Sequence, residues 1–168
     1  MKLSWARPGS GIIPGLGAIA ALALAGCGAG SPTTAPTKEQ FIARADAICS
    51  QEEAKLSRIR AREHASSASL SDPPRLIRQV ASTHEAATAR LESLSQPAGD
   101  AATLARWLTA RTVAATFEHD TAEAPGGEAS VAARDIRAAL RGAIALVRSL
   151  SEGYGFRVCG TSERRPID

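Results

Sequence analysis

The chain has 168 residues, of which 44% are hydrophobic and 22% charged, and its formal net charge is +3. This length fits one domain with short appendages and excludes a large multidomain enzyme. The mixed charge and the ordinary content of 9 Pro and 14 Gly exclude a disordered or collagen-like chain.

The first 26 residues predict an export signal. Lys2 and Arg7 precede an apolar stretch from Ile12 to Leu24, which is short and is interrupted by Gly and Pro. It leads into the sequence Leu-Ala-Gly-Cys at residues 24–27, which resembles the lipobox of bacterial lipoproteins. We therefore expect cleavage before Cys27 and a lipid on its thiol. Ordinary cleavage near residues 21–23 and an uncleaved anchor are the alternatives, and both still export the chain.

The predicted cleavage changes the charge of the mature protein. It removes Lys2 and Arg7 but no acidic residue, so the formal net charge falls from +3 to +1. A nearly neutral, exported protein lacks the basic surface that nucleic acid requires. We therefore expect no nucleic-acid partner.

Residues 27–36 predict a tether between the lipid and the domain. After Cys27 this segment contains only Gly, Ala, Ser, Pro and Thr, without apolar periodicity. As a flexible coil it has a root-mean-square reach of ~17 Å. The lipid therefore holds the domain close to the extracytoplasmic face of the bacterial cell membrane.

Two amphipathic helices are predicted in the first half of the domain. Thr37 and Gln40 form a capping box, and apolar residues recur at helical spacing from there to about His64. After a loop rich in Ser and Ala, the prolines at 73–74 favour the first turn of a second helix. We expect this helix to end near Ser95.

Two further helices are predicted in the second half. Asp100 is expected to cap a third helix that runs to about Ala122, although its apolar stripe is less regular. Residues 123–128 form a turn that contains Pro and Gly. A fourth helix follows, and Gly153 and Gly155 are expected to stop it.

These elements predict an all-α fold. The four helices have similar expected lengths of about 22 to 26 residues and short connecting loops, which favour antiparallel neighbours. We therefore expect an up-down-up-down four-helix bundle over residues 37–160, followed by a polar tail at 161–168. The many Ala in the apolar stripes let the helices approach closely, so we expect a thin core and no cofactor.

Cys49 and Cys159 remain once the lipid has used Cys27. In an oxidising compartment an even remainder predicts a disulfide, and the expected bundle brings the end of the fourth helix beside the start of the first. Two free thiols or a metal-binding pair are the alternatives. A zinc site is disfavoured because no His stands near either cysteine at ligand spacing.

The segments around these two cysteines resemble a known family. Residues 37–49 (TKEQFIARADAIC) resemble the opening of a group of uncharacterised lipoproteins of high-GC actinobacteria, and residues 154–160 (YGFRVCG) resemble their ending. The resemblance implies a small helical, disulfide-closed extracytoplasmic domain. The group has no assigned activity, so the resemblance implies no catalytic residue.

The sequence indicates no enzyme, because it lacks a Gly-rich phosphate loop, G-x-S-x-G, His-x-x-x-His and Cys-x-x-Cys. Glu63-His64 and residues 118–120 (Glu-His-Asp) are expected at the same end of the bundle, where a metal could bind. Such residues are more often solvated charges at helix ends, so no metal is predicted.

A basic face is predicted on the fourth helix. Arg134, Arg137, Arg141 and Arg148 fall within a narrow arc. This arc is typical of a solvated face opposite the core, and the alternative is contact with anionic headgroups or cell-wall phosphate.

Glu52, His84 and Arg111 each fall within the apolar stripe of their helix. Counted from the membrane-side helix ends, they lie at similar heights of ~21, ~17 and ~15 Å. A charged side chain in such a position must be paired or hydrated. We therefore expect a buried polar layer in which Arg111 pairs with Glu52 and His84 completes the network.

Two functions are consistent with these patterns. The first is a lipid-anchored, non-enzymatic interaction or structural module with a partner in the cell envelope. The alternative is a bundle that binds a small ligand or a metal at the polar layer, whereas a purely structural layer would only fix the register of the helices.

Overall fold

The structure, a computed structural model, describes residues 35–65, 73–126 and 130–160. The signal segment, Cys27, most of the tether and the tail at 161–168 lie outside the described residues. Within the described ranges there are four helices and no strand. The helices are α1 (Lys38–Ala65), α2 (Pro73–Glu92), α3 (Ala101–Ala122) and α4 (Val131–Tyr154).

Consecutive helices pack side by side and run in opposite directions. Asp100, just before α3, accepts a hydrogen bond from the hydroxyl of Tyr154 at the end of α4. Trp107, two turns further along α3, donates to Ser151, which lies earlier in α4. α2 and α3 are also antiparallel, because Thr88 contacts Arg111 whereas Glu85, earlier in α2, contacts His119, later in α3. The predicted all-α, up-down-up-down four-helix bundle is confirmed.

The predicted start of α1 is also confirmed. The backbone N–H of Thr37 donates to Oε1 of Gln40 at 3.0 Å, and the backbone N–H of Gln40 donates to Oγ1 of Thr37 at 3.2 Å. These two bonds satisfy N–H groups that have no partner inside the helix. The helix then runs through Ala65, which the sequence placed in the loop.

The expectation of matched helix lengths was wrong, because α1 has 28 residues and α2 has 20. α2 ends at Glu92 rather than near Ser95. The N–H of Leu94 bonds to the carbonyl of Leu91, only three residues back, so the last turn tightens and the α-helical pattern stops.

The end signals of α3 and α4 need three corrections. The side chain of Asp100 makes no cap hydrogen bond, because its carboxylate accepts from Tyr154 at 2.6 Å instead. α4 begins at Val131 rather than directly after residue 128, and the hydroxyl of Ser130 caps it by accepting from the N–H of Ala133. Gly153 lies inside α4, and Gly155 ends the helix in the left-handed conformation.

The core takes side chains from all four helices. The largest fully buried ones are Trp107, Phe41, Leu56, Leu91, Leu104 and Val147. Trp107 stands three residues after Leu104, on the same face of α3. It is buried in the core, and its indole N–H bonds to Ser151 at 2.9 Å. Val113, on the opposite side of α3, is 40% exposed.

Residues 155–160 fold back as a C-terminal clasp that closes the bundle. Gly155 (φ +102°) turns the chain, and the ring of Phe156 stacks on Trp107 with centroids 4.4 Å apart. Phe156 also contacts the ring of Phe41 at the start of α1. The clasp therefore joins the last helix to the first.

The clasp is held to α1 by Asp46 and by the disulfide. The carboxylate of Asp46 accepts hydrogen bonds from the backbone N–H groups of residues 157, 158 and 159 at 2.9 to 3.1 Å. The predicted bond between Cys49 and Cys159 is present. Gly160 (φ +98°) packs so closely on Ser151 that an added Cβ would lie 2.9 Å from its side chain. Only Gly fits at this position.

No helix among the described residues is both long enough and apolar enough to cross a bilayer.

Reduction of the Cys49–Cys159 bond is expected to lower the melting temperature by on the order of 10 °C. The bridge joins residues 110 apart, and it acts mainly by restricting the unfolded chain. The far-ultraviolet circular dichroism below the transition should therefore change little. A Cys27→Ser chain, which keeps the bridge, is the control and should show the same shift. An unchanged melting temperature, or recovery of two free thiols from the native compartment, would contradict this prediction.

Candidate functional site

The predicted polar layer lies in the middle of the bundle, and its centre is an ion pair between α1 and α3. The guanidinium of Arg111 donates from Nη2 to Glu52, 2.7 Å from Oε1 and 2.9 Å from Oε2. The Glu52 side chain is completely buried and that of Arg111 is 2% exposed. The structure therefore confirms the predicted pairing of Arg111 with Glu52.

His84 adds α2 to this pair, as expected. Its Nδ1 lies 2.7 Å from Oε1 of Glu52, so the carboxylate of Glu52 binds both neighbouring helices. On its other side, Nε2 of His84 lies 3.5 Å from Oε1 of Glu118 on α3. One carboxylate from α1 and one from α3 thus flank the imidazole.

Three further contacts in the layer were not predicted. Nε of Arg111 donates to the hydroxyl of Thr88 at 3.2 Å, and the guanidinium lies over the ring of Trp107, 5.6 Å from its centroid. Glu118 was interpreted only as a charge at a helix end. Helical spacing could have placed these residues on the face of the layer. Thr88 stands four residues after His84. Trp107 stands four residues before Arg111, and Glu118 stands seven residues after it.

The electrostatics of the layer favour the charged form of Glu52. Burial by itself raises the pKa of this carboxyl, but the hydrogen bond with His84 and the charge of Arg111 outweigh burial. The pKa of Glu52 is therefore held below its ordinary value. A buried carboxylate that stays charged needs these partners, because an isolated one would cost several kcal/mol.

The layer leaves little free volume. A cavity of about 10 Å3 lies beside His84, Arg111 and Glu118, and Ile144 of α4 lines it as well. This volume is close to the minimum for a single water molecule. A small ligand does not fit in this arrangement of the side chains.

The described side chains of the two groups that suggested a metal site do not form one cluster. His119 lies 3.1 Å from Glu85 on α2, and Glu118 faces His84. Asp120 is exposed, and the side chain of His64 lies outside what the structure describes. Among the described residues, no three His, Cys, Asp or Glu side chains are placed to hold a metal ion.

The basic face of α4 is only partly solvated. Arg134 and Arg141 are exposed, whereas Arg137 and Arg148 are half-buried. The predicted solvated face therefore holds for Arg134 and Arg141, whereas Arg137 and Arg148 are only partly exposed.

A second concavity lies on the outside of the bundle between α3 and α4. It is an apolar groove of about 380 Å3. Val113 on α3 and Leu146 on α4 form part of it, and they are 40% and 49% exposed. The groove shares no residue with the polar layer.

Comparison of the chain with protein-family models, with curated proteins and with solved structures finds no match.

Replacement of one partner of the central pair is expected to destabilise the fold. Arg111→Met leaves Glu52 buried beside His84 alone and should lower the free energy of unfolding by about 3 to 5 kcal/mol. The double variant Glu52→Leu/Arg111→Met removes both charges and should recover most of this loss. Urea unfolding of the four chains of the cycle measures the coupling.

Arg106→Met on the exposed side of α3 is the matched control, and it should change stability by less than about 0.5 kcal/mol. If Arg111→Met is as mild as this control, or if the double variant is no better than the single one, the pair does not act as described.

Proposed function

We propose that this protein is a lipid-anchored, non-enzymatic module of the bacterial cell envelope with a structural or interaction role. The observation that supports this most is that the buried charges bind one another. Glu52 accepts from both Arg111 and His84, and the remaining cavity of about 10 Å3 holds no more than a water molecule. The buried polar side chains thus bind helices to one another.

The alternative function, a bundle that binds a small ligand or a metal, has little support. Ligand pockets in proteins typically have volumes of about 300 to 1,000 Å3 and keep polar groups available for the ligand. Here the cavity is far smaller, and the cation of Arg111 occupies the place next to Glu52 that a metal would need.

The residues that carry the family resemblance also support a structural role. The segment 37–49 and the segment 154–160 contact each other through Asp46, the disulfide and the packing of Phe41 on Tyr154. Their distinctive side chains therefore have a role in closing the bundle. We propose on this basis that the chain is similar in architecture to the actinobacterial lipoproteins that it resembles.

The proposed location rests on Cys27 and on the disulfide. The lipobox-like sequence predicts a lipidated cysteine at the start of the mature chain, and a lipid with two or more acyl chains anchors a protein stably. A buried structural disulfide favours an oxidising compartment. Both features support the extracytoplasmic face of the cell membrane.

Cys27→Ser is expected to abolish lipidation and to release the protein from washed membranes, because the predicted mature chain has no long apolar run. Intact-mass spectrometry and membrane fractionation measure the two effects. Cys49→Ser/Cys159→Ser, which leaves Cys27 in place, is the control and should remain lipidated. Lipid on the Cys27→Ser chain, or its retention on membranes like the wild type, would contradict the anchor.

Ligand binding at the polar layer can be tested by thermal shift with Zn²⁺, Mg²⁺, Mn²⁺, Ca²⁺ and a library of small metabolites. We expect no compound to stabilise the wild type more than it stabilises the Arg111→Met variant, because the layer has no room for one. A saturable shift of several degrees that Arg111→Met abolishes would instead establish the ligand-binding alternative.

A further inference from the structure

His84 is placed between two acceptors that lie on different helices. Nδ1 faces Glu52 of α1 at 2.7 Å, and Nε2 faces Glu118 of α3 at 3.5 Å. A neutral imidazole has one N–H and presents a lone pair at its other nitrogen. Only the doubly protonated ring can therefore donate towards both carboxylates.

The charges of the layer balance in the same protonation state. Glu52 and Glu118 contribute two negative charges, and Arg111 contributes one positive charge. From α4, the side chain that lines the cavity beside His84 is the apolar Ile144. A proton on His84 adds a second positive charge between the two carboxylates, which favours their charged forms.

The link through His84 also matters for the attachment of α1. Glu52 is the α1 residue that binds both α2 and α3 in this layer, and the clasp holds α1 nearer its N-terminal end, at Asp46 and Cys49. The part of α1 that follows Glu52 lies beyond both of these attachments in the chain.

We propose that a proton on His84 lets its ring donate to Glu52 of α1 and to Glu118 of α3 at the same time, so that the bundle becomes more stable as the surrounding pH falls from alkaline to mildly acidic values. The device is independent of the proposed envelope role. It adds a pH response to a fold that the disulfide already closes.

The direction of the response follows from the environment of His84. Burial by itself lowers the pKa of the imidazole, and Arg111 acts in the same direction, but the hydrogen bond with Glu52 and the charges of Glu118 and Glu52 outweigh both. The pKa is therefore raised above 6.5. Since the folded pKa exceeds the unfolded one, this stabilisation is complete below about pH 6.5 and is lost as the pH rises through the folded pKa.

Glu52 limits the response on the acidic side. Its pKa is lowered from 4.5 in the folded protein, so its contribution is present above that value and is lost as the pH falls through the folded pKa. Stability is therefore lost at low pH when Glu52 becomes protonated and at high pH when His84 loses its proton. The layer stabilises the bundle most at the pH values between these two titrations.

The test is urea unfolding of the full chain in a mild detergent from pH 5 to pH 9, with the wild type, His84→Gln, Glu118→Gln and His119→Gln. We expect the wild-type urea midpoint to fall as the pH rises from about 6.5 towards 9. His84→Gln should remove this fall, because Gln can donate to Glu52 but cannot take up a proton. Glu118→Gln should move the fall to lower pH. His119→Gln, which alters the half-buried histidine that contacts Glu85, should leave it unchanged.

Histidine NMR on the wild-type chain measures the same property without depending on whether the variants fold. We expect the His84 ring to titrate above pH 6.5. Titration at or below 6.5, a wild-type midpoint that does not change over this range, or a fall that persists in His84→Gln would overturn the proposal.

Discussion

The arrangement of the helices depends on one buried ion pair, between Glu52 of α1 and Arg111 of α3. Because both side chains are almost completely buried, neither can exchange its partner for water if the helices shift along their axes. His84 and Thr88 bind the same pair from α2, so three helices share one register. A core built largely from Ala and branched aliphatic residues would tolerate such a shift more easily, since those contacts are not directional.

The C-terminal clasp solves a different problem. In an up-down-up-down bundle no loop connects the last helix to the first. Without a further link, only side-chain packing holds these two helices together. Here the turn at Gly155 returns the chain to α1. The carboxylate of Asp46 then accepts hydrogen bonds from three backbone N–H groups, and Cys159 forms a disulfide with Cys49. The clasp thus closes the bundle at one end, and the polar layer fixes its middle.

Much of this could be predicted from the sequence, because the signals were local or involved rare residues. A charged residue in an apolar stripe needs a partner, which is why Glu52 and Arg111 could be paired. Two cysteines that remain in a chain with a predicted export signal indicate a disulfide. Asp100 could not be predicted in this way. Its local sequence indicates a side-chain cap, but its carboxylate binds the hydroxyl of Tyr154, 54 residues away in the chain. The role of Asp46 depends on where the chain returns after α4. No spacing within α1 could indicate it.

If the Glu52–Arg111 pair holds the helices together, it stays formed throughout the folded state. The most direct measurement is NMR of the Arg111 guanidinium, whose Nη2 group lies within 2.9 Å of both oxygens of Glu52. We expect resolved, slowly exchanging guanidinium protons for Arg111 that disappear in Glu52→Gln, because a buried, hydrogen-bonded group is protected from water. If the Arg111 protons exchange as fast as those of the exposed Arg106, the pair is not the constraint on which the fold depends.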